Sequence, residues 1–434
     1  NLDSIKKKLF GIYKIMEKQV TAMKEFKLSN LYYNCELPLI HVLSDMELNG
    51  IKVNKTKLED IGVELSKKIS ELQNDIINLA GKDFNISSPK QLGMVIFEDL
   101  KLPYPKRSKG KTGYYTSADI LEKISDAHPI IDKVLLYRKY TKLKSTYIDG
   151  LTKLIADDGR IHPHFQQTVA ATGRLSCTEP NLQNIPFRDD YGRLIRKAFV
   201  ADEDFTLVGA DYSQIELRIM ASLSGDEGMI NAFNEGKDIH RITASRVFNI
   251  PFDEVTPAIR SKAKAVNFGI IYGMSGFGLS EGIHVSRVEA EKYIENYFAK
   301  HPAVKAYLDE QIELGRSNRM VRTLYGRIRQ IPEFSSRKYL DQQLAKRLAM
   351  NTPIQGTAAD IMKFAMIAVN NELLEQNLKS KLILQIHDEL IIETHADEIS
   401  KIEEILRNKM ESAGNLAVKL TVDINSSESW YYMK

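Results

Sequence analysis

Four side chains at positions 260, 264, 268 and 272 carry the clearest chemical pattern in this sequence. They are Arg260, Lys264, Phe268 and Tyr272, within Arg-Ser-Lys-Ala-Lys-Ala-Val-Asn-Phe-Gly-Ile-Ile-Tyr-Gly. In an α-helix each step of four residues turns about 400°, so successive members drift by about 40° and share a stripe about 18 Å long. Two cations open the stripe and two aromatic rings close it. Such a stripe complements an anionic tail followed by a flat base and sugar, the shape of a nucleoside triphosphate. The plainer alternative is an amphipathic surface helix with one basic end.

Two acids supply a second pattern. Asp211 follows the apolar run Thr206-Leu207-Val208-Gly209-Ala210 and precedes a helical pattern, Ser213–Arg218. Asp388 stands between Leu382–Ile386 and Leu390–Ile392, where a hairpin would turn. If these strands are neighbours, both carboxylates converge at one end of a sheet. Hard oxygen ligands of this kind suit Mg²⁺, which keeps substrate phosphates in its shell. Two ions about 3.5–4 Å apart can clamp the attacking and leaving oxygens of an in-line phosphoryl transfer. A lone Asp after a strand is more often a turn residue or helix cap, so the reading depends on the strands pairing.

The elements that must position these groups read as α+β. Residues 1–80 have long amphipathic helical stretches, with breaks expected at Pro38 and at Asn49-Gly50. Ser88-Pro89 looks like a capped helix start. Lys106–Thr116 reads as a basic, Gly-containing loop suited to gripping phosphates, and a helix bearing Arg138, Lys139, Lys142 and Lys144 follows. Residues 217–375 are mostly helical in pattern. The chain has 434 residues, enough for two to four subdomains. Its net charge of only +3 requires any nucleic-acid surface to come from local basic patches. Cys35 and Cys177 lie far apart, which excludes a disulfide framework or a zinc motif and fits a reduced cytosolic compartment. No apolar run approaches the roughly 20 residues of a membrane span. The chain opens on Asn1, as a processed chain or a piece of a longer one would.

Asp211-Tyr212-Ser213-Gln214-Ile215-Glu216-Leu217-Arg218 resembles motif A of family A DNA polymerases, the 260–273 segment their motif B, and His387-Asp388-Glu389 their motif C. Thr172-Gly173-Arg174-Leu175-Ser176, Pro180-Asn181-Leu182-Gln183-Asn184-Ile185-Pro186 and Gln355-Gly356-Thr357-Ala358-Ala359-Asp360 fit the same family, in the same order. The resemblance covers essentially the whole chain. It implies a right-hand polymerase fold, with an antiparallel-sheet palm at 151–225 and 346–434, a helical thumb at 41–150 and fingers at 226–345. Residues 1–40 would connect to an upstream exonuclease-like domain, leaving no proofreading in this chain.

The resemblance also implies roles. Asp211, Asp388 and the Tyr212 carbonyl would hold two Mg²⁺ ions, with Mn²⁺ as a substitute. Arg260, Lys264 and His240 would meet the triphosphate, Lys264 also donating a proton to departing pyrophosphate. Phe268 would pack on the incoming nucleotide, Tyr272 would occupy the template side, and Gln214 and Glu216 would border the nucleotide, Glu216 walling off the ribose 2′ position. Arg174, Asn181, Gln183, Arg347, Asn351, Gln355 and His387 would line primer-template DNA, where minor-groove acceptors report pair geometry without sequence. The implied enzyme is a monomeric, cytoplasmic, nucleoid-associated polymerase of replication and repair, using deoxynucleoside triphosphates and no membrane. Lys346, Ile328 and Ser222 depart from the usual pattern, none at a metal ligand. A single-subunit RNA polymerase is the nearest rival, disfavoured by Glu216 and Phe268. A silent DNA-binding clamp would need neither acid pair nor stripe.

Overall fold

The computed structural model describes residues 2–105, 113–187 and 190–433. Most of the expected basic loop, 106–112, lies outside the described residues. The chain divides into two compact units: Asn1–Asn49, His164–Thr178 and Val208–Asn425 form the larger, and Gly50–Pro163, Glu179–Leu207 and Ser426–Lys434 the smaller.

In the smaller unit, helix α1 (Lys55–Ala80) begins at Asn54, whose side chain accepts from the Lys57 amide at 2.9 Å. It ends at Gly81, where φ is +70°. Leu58, Leu65, Leu72 and Ile76 are buried along one face, and α1 packs on α2 (Ile130–Leu143). Leu92, Ile96, Ile120, Ile131 and Val134 extend this core. The Ser88 cap forms as its sequence predicts, accepting from the Gln91 amide ahead of Pro89. Buried Trp430 meets Phe199 edge-on at 5.5 Å, with the Arg196 guanidinium 4.1 Å from its ring.

The larger unit is built on strands β1 (Phe205–Tyr212), β2 (Lys381–Ile386), β3 (Glu389–His395) and β4 (Val422–Ser427), in the order β4-β1-β3-β2. Strands β2 and β3 are an antiparallel hairpin in which Ile386 pairs with Glu389, leaving His387 and Asp388 at the tip. Helices α3 (Ile215–Ser224), α4 (Ile239–Phe248), α5 (Pro257–Ile271), α6 (Tyr339–Glu375) and α7 (Ile399–Glu411) belong to the same unit. The α+β class is as expected.

Two details differ from the sequence reading. Pro38 does not break a helix. Residues 29–49 run continuously, and a π-turn at Tyr32–Glu36 directly precedes Pro38, so the proline follows a widened turn in place of a regular α-helical one. The break falls earlier, at residues 26–28. A small hairpin, Met320–Arg322 with Ile328–Gln330, also interrupts the stretch read as helical.

That hairpin helps assemble a buried ionic cluster. Glu36 meets Arg327 and, at 2.7 Å, Lys363. Arg327 also reaches Asp360 at 2.7 Å, and Thr323 donates to the other Asp360 oxygen at 2.7 Å. Burial alone would raise the Glu36 carboxyl's pKa, but Lys363 and Arg327 outweigh it and hold the group below its usual range. Gly173, at φ +85°, lies so close to the Arg327 side chain that no Cβ fits.

Candidate active site

Helix α5 forms because Thr256 caps it, accepting from the Ile259 amide at 3.3 Å, and Pro257 occupies its first position. Ala263, Val266, Asn267, Ile270 and Ile271 recur at helical spacing and are buried. The opposite stripe stays outward: Lys264 is exposed, and Arg260, Phe268 and Tyr272 are half-buried. The Phe268 and Tyr272 rings stack at 6.1 Å and 20°, with Lys264 Nζ 6.0 Å from the Phe268 centroid. Gly273 (φ +61°) then turns the chain against Met350 and Arg347 of α6, leaving no space for a Cβ.

His240, on α4, is buried with its ring 6.1 Å from Phe268. Burial, then Arg260 and Lys264, push its pKa down to about 4, so the ring is neutral at pH 7. Asp238 caps α4, accepting from the His240 and Arg241 amides at 3.0 and 3.1 Å. Its second oxygen accepts from Arg260 Nε at 2.6 Å. Burial opposes its charge, but Arg260 and the capped amides prevail and hold the carboxyl below its usual range. The sequence reading missed Asp238, although an Asp directly before a helical run is a cap signal.

Glu216 is only 5% exposed and is held at both oxygens. Arg174 donates to one at 2.7 Å and the Tyr272 hydroxyl to the other at 2.8 Å. Burial and the Glu216 charge raise the Tyr272 phenol far above its ordinary value. Three residues from distant motifs therefore meet at one carboxylate.

Asp211 is the next-to-last residue of β1, and the Tyr212 amide donates to the Asp388 carbonyl at 2.9 Å. The strands expected to be neighbours are neighbours, and both half-buried acids stand at the same sheet end. His387 takes φ +53° at the hairpin tip, a conformation costly for a side-chain-bearing residue, and its carbonyl accepts from Gln385 at 2.5 Å. The Tyr212 phenol is buried and donates to the Met410 carbonyl at 2.7 Å. This donor set fits a divalent cation: two carboxylates and a neighbouring backbone carbonyl are hard ligands that leave positions for phosphate and water. Among the described residues, no group of three or more His, Cys, Asp or Glu forms a ready-made metal site.

The remaining expected residues divide between the units. Gln214 precedes α3 at φ +56°, with its buried Oε1 lacking a partner among the described residues. Arg347, Asn351 and Gln355 follow one another at steps of four along α6, the first exposed and the others half-buried. With its amide oriented to satisfy both neighbours, Asn351 donates to the Ile271 carbonyl at 2.5 Å. Asn181 and Gln183 belong to the smaller unit. There Asn181 lines a cavity of about 600 Å³ with Lys139, Lys142 and Asn184.

The sequence profile of DNA polymerase family A matches residues 55–432. DNA polymerase I of Lactococcus lactis subsp. cremoris is 45% identical over 433 residues, covering 100% of this chain and 49% of that protein. The Bacillus subtilis and Caldicellulosiruptor bescii DNA polymerases I are 47% and 49% identical, over 99% and 93% of this chain and 49% and 47% of theirs. The chain spans about half the length of the curated relatives it matches. Among solved structures, the POL domain of Pol1 from M. smegmatis, in complex with DNA primer-template and dNTP, superposes with a TM-score of 0.89. It is 43% identical, over 95% of this chain and 72% of that one.

Proposed function

The chain belongs to DNA polymerase family A, and from that membership we propose that it adds deoxynucleotides to a primer 3′-hydroxyl under the direction of a template strand, releasing pyrophosphate. The observation that carries this reading is the meeting of Asp211 and Asp388 at one sheet end, in the same compact unit as the α5 stripe. The family depends on divalent metal. We assign Mg²⁺, as two ions with Mn²⁺ as a substitute, to Asp211, Asp388 and the Tyr212 carbonyl. When bound, these ions supply Lewis acidity at the reacting phosphate and lower the pKa of the attacking hydroxyl.

The chain's own groups account for the rest. Arg260 and Lys264 bind the triphosphate, and Lys264 stands where a proton can be passed to departing pyrophosphate. His240 adds a third contact to the same anion. Phe268 offers its face to the sugar and base. Glu216, held by Arg174 and Tyr272, presents a fixed wall that crowds a 2′-hydroxyl; because Tyr272 is one of its holders, nucleotide entry and that wall are coupled. Gln214 borders the nucleotide, and Arg174, Asn181, Gln183, Arg347, Asn351, Gln355 and His387 line the primer-template.

The thumb, palm and fingers fall at 41–150, 151–225 with 346–434, and 226–345, with 1–40 as a connecting segment. The chain acts as a monomer on DNA in the cytoplasm, at the nucleoid, in replication and repair; no described helix is long and apolar enough to cross a membrane. It does not shorten a mismatched primer. A primer-extension assay with Mg²⁺ and the four deoxynucleotides tests the whole reading. Extension that follows template sequence is expected, and clean protein that binds primer-template without extending it would overturn the assignment. Shortening of a 3′-mismatched primer without nucleotides, surviving Asp388→Asn, would overturn the absence of proofreading.

A further inference from the structure

Behind His240 lies a short chain of polar groups that water does not reach. The ring's Nδ1 is 2.9 Å from the Asn267 side-chain nitrogen, and Asn267 Oδ1 is 3.0 Å from the Thr243 hydroxyl. Exposure is 2% for His240, 0% for Asn267 and 1% for Thr243. The order of donors along this chain decides the ring's tautomer. Asn267 is oriented with its NH₂ towards the ring and its Oδ1 towards the Thr243 hydroxyl, which donates to it. An NH₂ group only donates, and Nδ1 must therefore accept and carry no proton. The single ring proton is left on Nε2. Burial and the two cations facing the ring, Arg260 and Lys264 from α5, keep it neutral well below pH 7, outweighing Asp238 at the start of its own helix, whose charge pulls the other way.

Resting on the reading that His240 meets the triphosphate, we propose that Asn267 and Thr243 are positioning residues that lock His240 as the neutral Nε2–H tautomer. In that form the ring meets the anion as a hydrogen-bond donor instead of a third cation. The alternatives are each worse. A lone pair on Nε2 would face a phosphate oxygen, and an imidazolium would crowd Arg260 and Lys264 before any anion arrived. The same helix serves both needs, its outer face carrying the two cations and its buried face the amide that sets the ring.

The tautomer can be read without any turnover. The full chain is labelled with ¹⁵N-histidine, and His240→Gln identifies which of the nine histidine ring signals belongs to residue 240. A pyridine-like Nδ1 and a pyrrole-like Nε2 are expected throughout the neutral range, with the Nε2 signal moving when a deoxynucleoside triphosphate is added. Asn267→Asp keeps the shape but offers only acceptors, so it draws the proton to Nδ1. For this variant KM for the nucleotide should rise roughly tenfold at alkaline pH. KM should recover as the pH falls and the ring takes a second proton, while kcat changes far less. Thr243→Val should give the same trend more weakly, and it stands in if the aspartate variant does not fold. A proton on Nδ1 in the wild type overturns the lock, as does an Asn267→Asp protein with unchanged ring signals and unchanged pH dependence of KM. If the tautomer is as stated but nucleotide leaves the ring unmoved, the donor role is overturned, and the fault lies in placing His240 at the triphosphate, not in the lock.

Discussion

Around Glu36, four charges close on one another: Arg327 and Lys363 neutralise Glu36 and Asp360 in a region where the least exposed members have 0–1% of their side-chain surface open. Along α5 the charges face outward, and there Arg260 has Asp238 for a partner while Lys264 has no ion pair among the described residues. The two groups lie in the same compact unit, yet one is complete without a ligand and the other has positive charge to spare. A buried charge stripped of its partner destabilises the fold far more than an exposed one does. Charges of the first kind therefore hold the scaffold, and charges of the second kind, with the acids at the sheet end, are available for chemistry.

The comparison breaks most visibly at the sheet end. Asp388→Asn should slow single-turnover extension on the order of a thousandfold, since it removes charge from the metal-binding end of the site. Thermal unfolding and duplex affinity should stay near wild type. Extension at a normal rate would remove Asp388 from the site. In the buried cluster the effect should be on the fold. Arg327→Met leaves Glu36 and Asp360 short of a partner and should lower unfolding stability by about 3–5 kcal/mol in urea titrations. A loss of extension with unchanged stability would reverse the roles assigned to the two regions.

His240 lies between these extremes, buried like the cluster but facing the stripe. An unfolded chain protonates this histidine near its ordinary value of 6.5, whereas the folded ring resists until about 4. Its contribution is fully present above pH 6.5 and is lost as the pH falls from there towards 4. The loss is on the order of 3 kcal/mol, and His240→Gln should lack that part of the acid destabilisation. Unfolding curves at a series of pH values measure it, and parallel pH profiles for the two proteins would refute it. The smallest effect concerns Phe268. A hydroxyl added by Phe268→Tyr can stand in for the 3′-hydroxyl that a dideoxynucleotide lacks, which should shift the ratio of dideoxy to deoxy use by roughly tenfold. Identical chain-termination patterns would mean that Phe268 does not face the sugar.

Local signals made much of this legible from sequence. The β2–β3 hairpin follows from two apolar runs around a polar tip, and α5 from the four-residue spacing of its stripe. Partners separated by long stretches of chain were not legible. Nothing in the neighbourhood of Glu36 announces Arg327 and Lys363, and the residues around Asn267 do not disclose that a histidine on the preceding helix depends on it. Such contacts depend on how elements pack, and neither periodicity nor capping encodes that. Pro38 misled for a related reason. Its cost depends on the geometry of the turn before it, and that turn is a widened π-turn that the residue pattern does not announce.

The smaller unit draws on residues 50–163, 179–207 and 426–434, so its core is not local in time during synthesis. Phe199 and Arg196 wait for Trp430 before their packing is complete. At about 5–20 residues per second, Phe199 precedes Trp430 by roughly 12–46 s. Throughout that interval the apolar surface that Trp430 will cover is open to other nascent chains and to chaperones. The fluorescence of this one tryptophan should therefore report the final stage of maturation, with early helix formation silent to it.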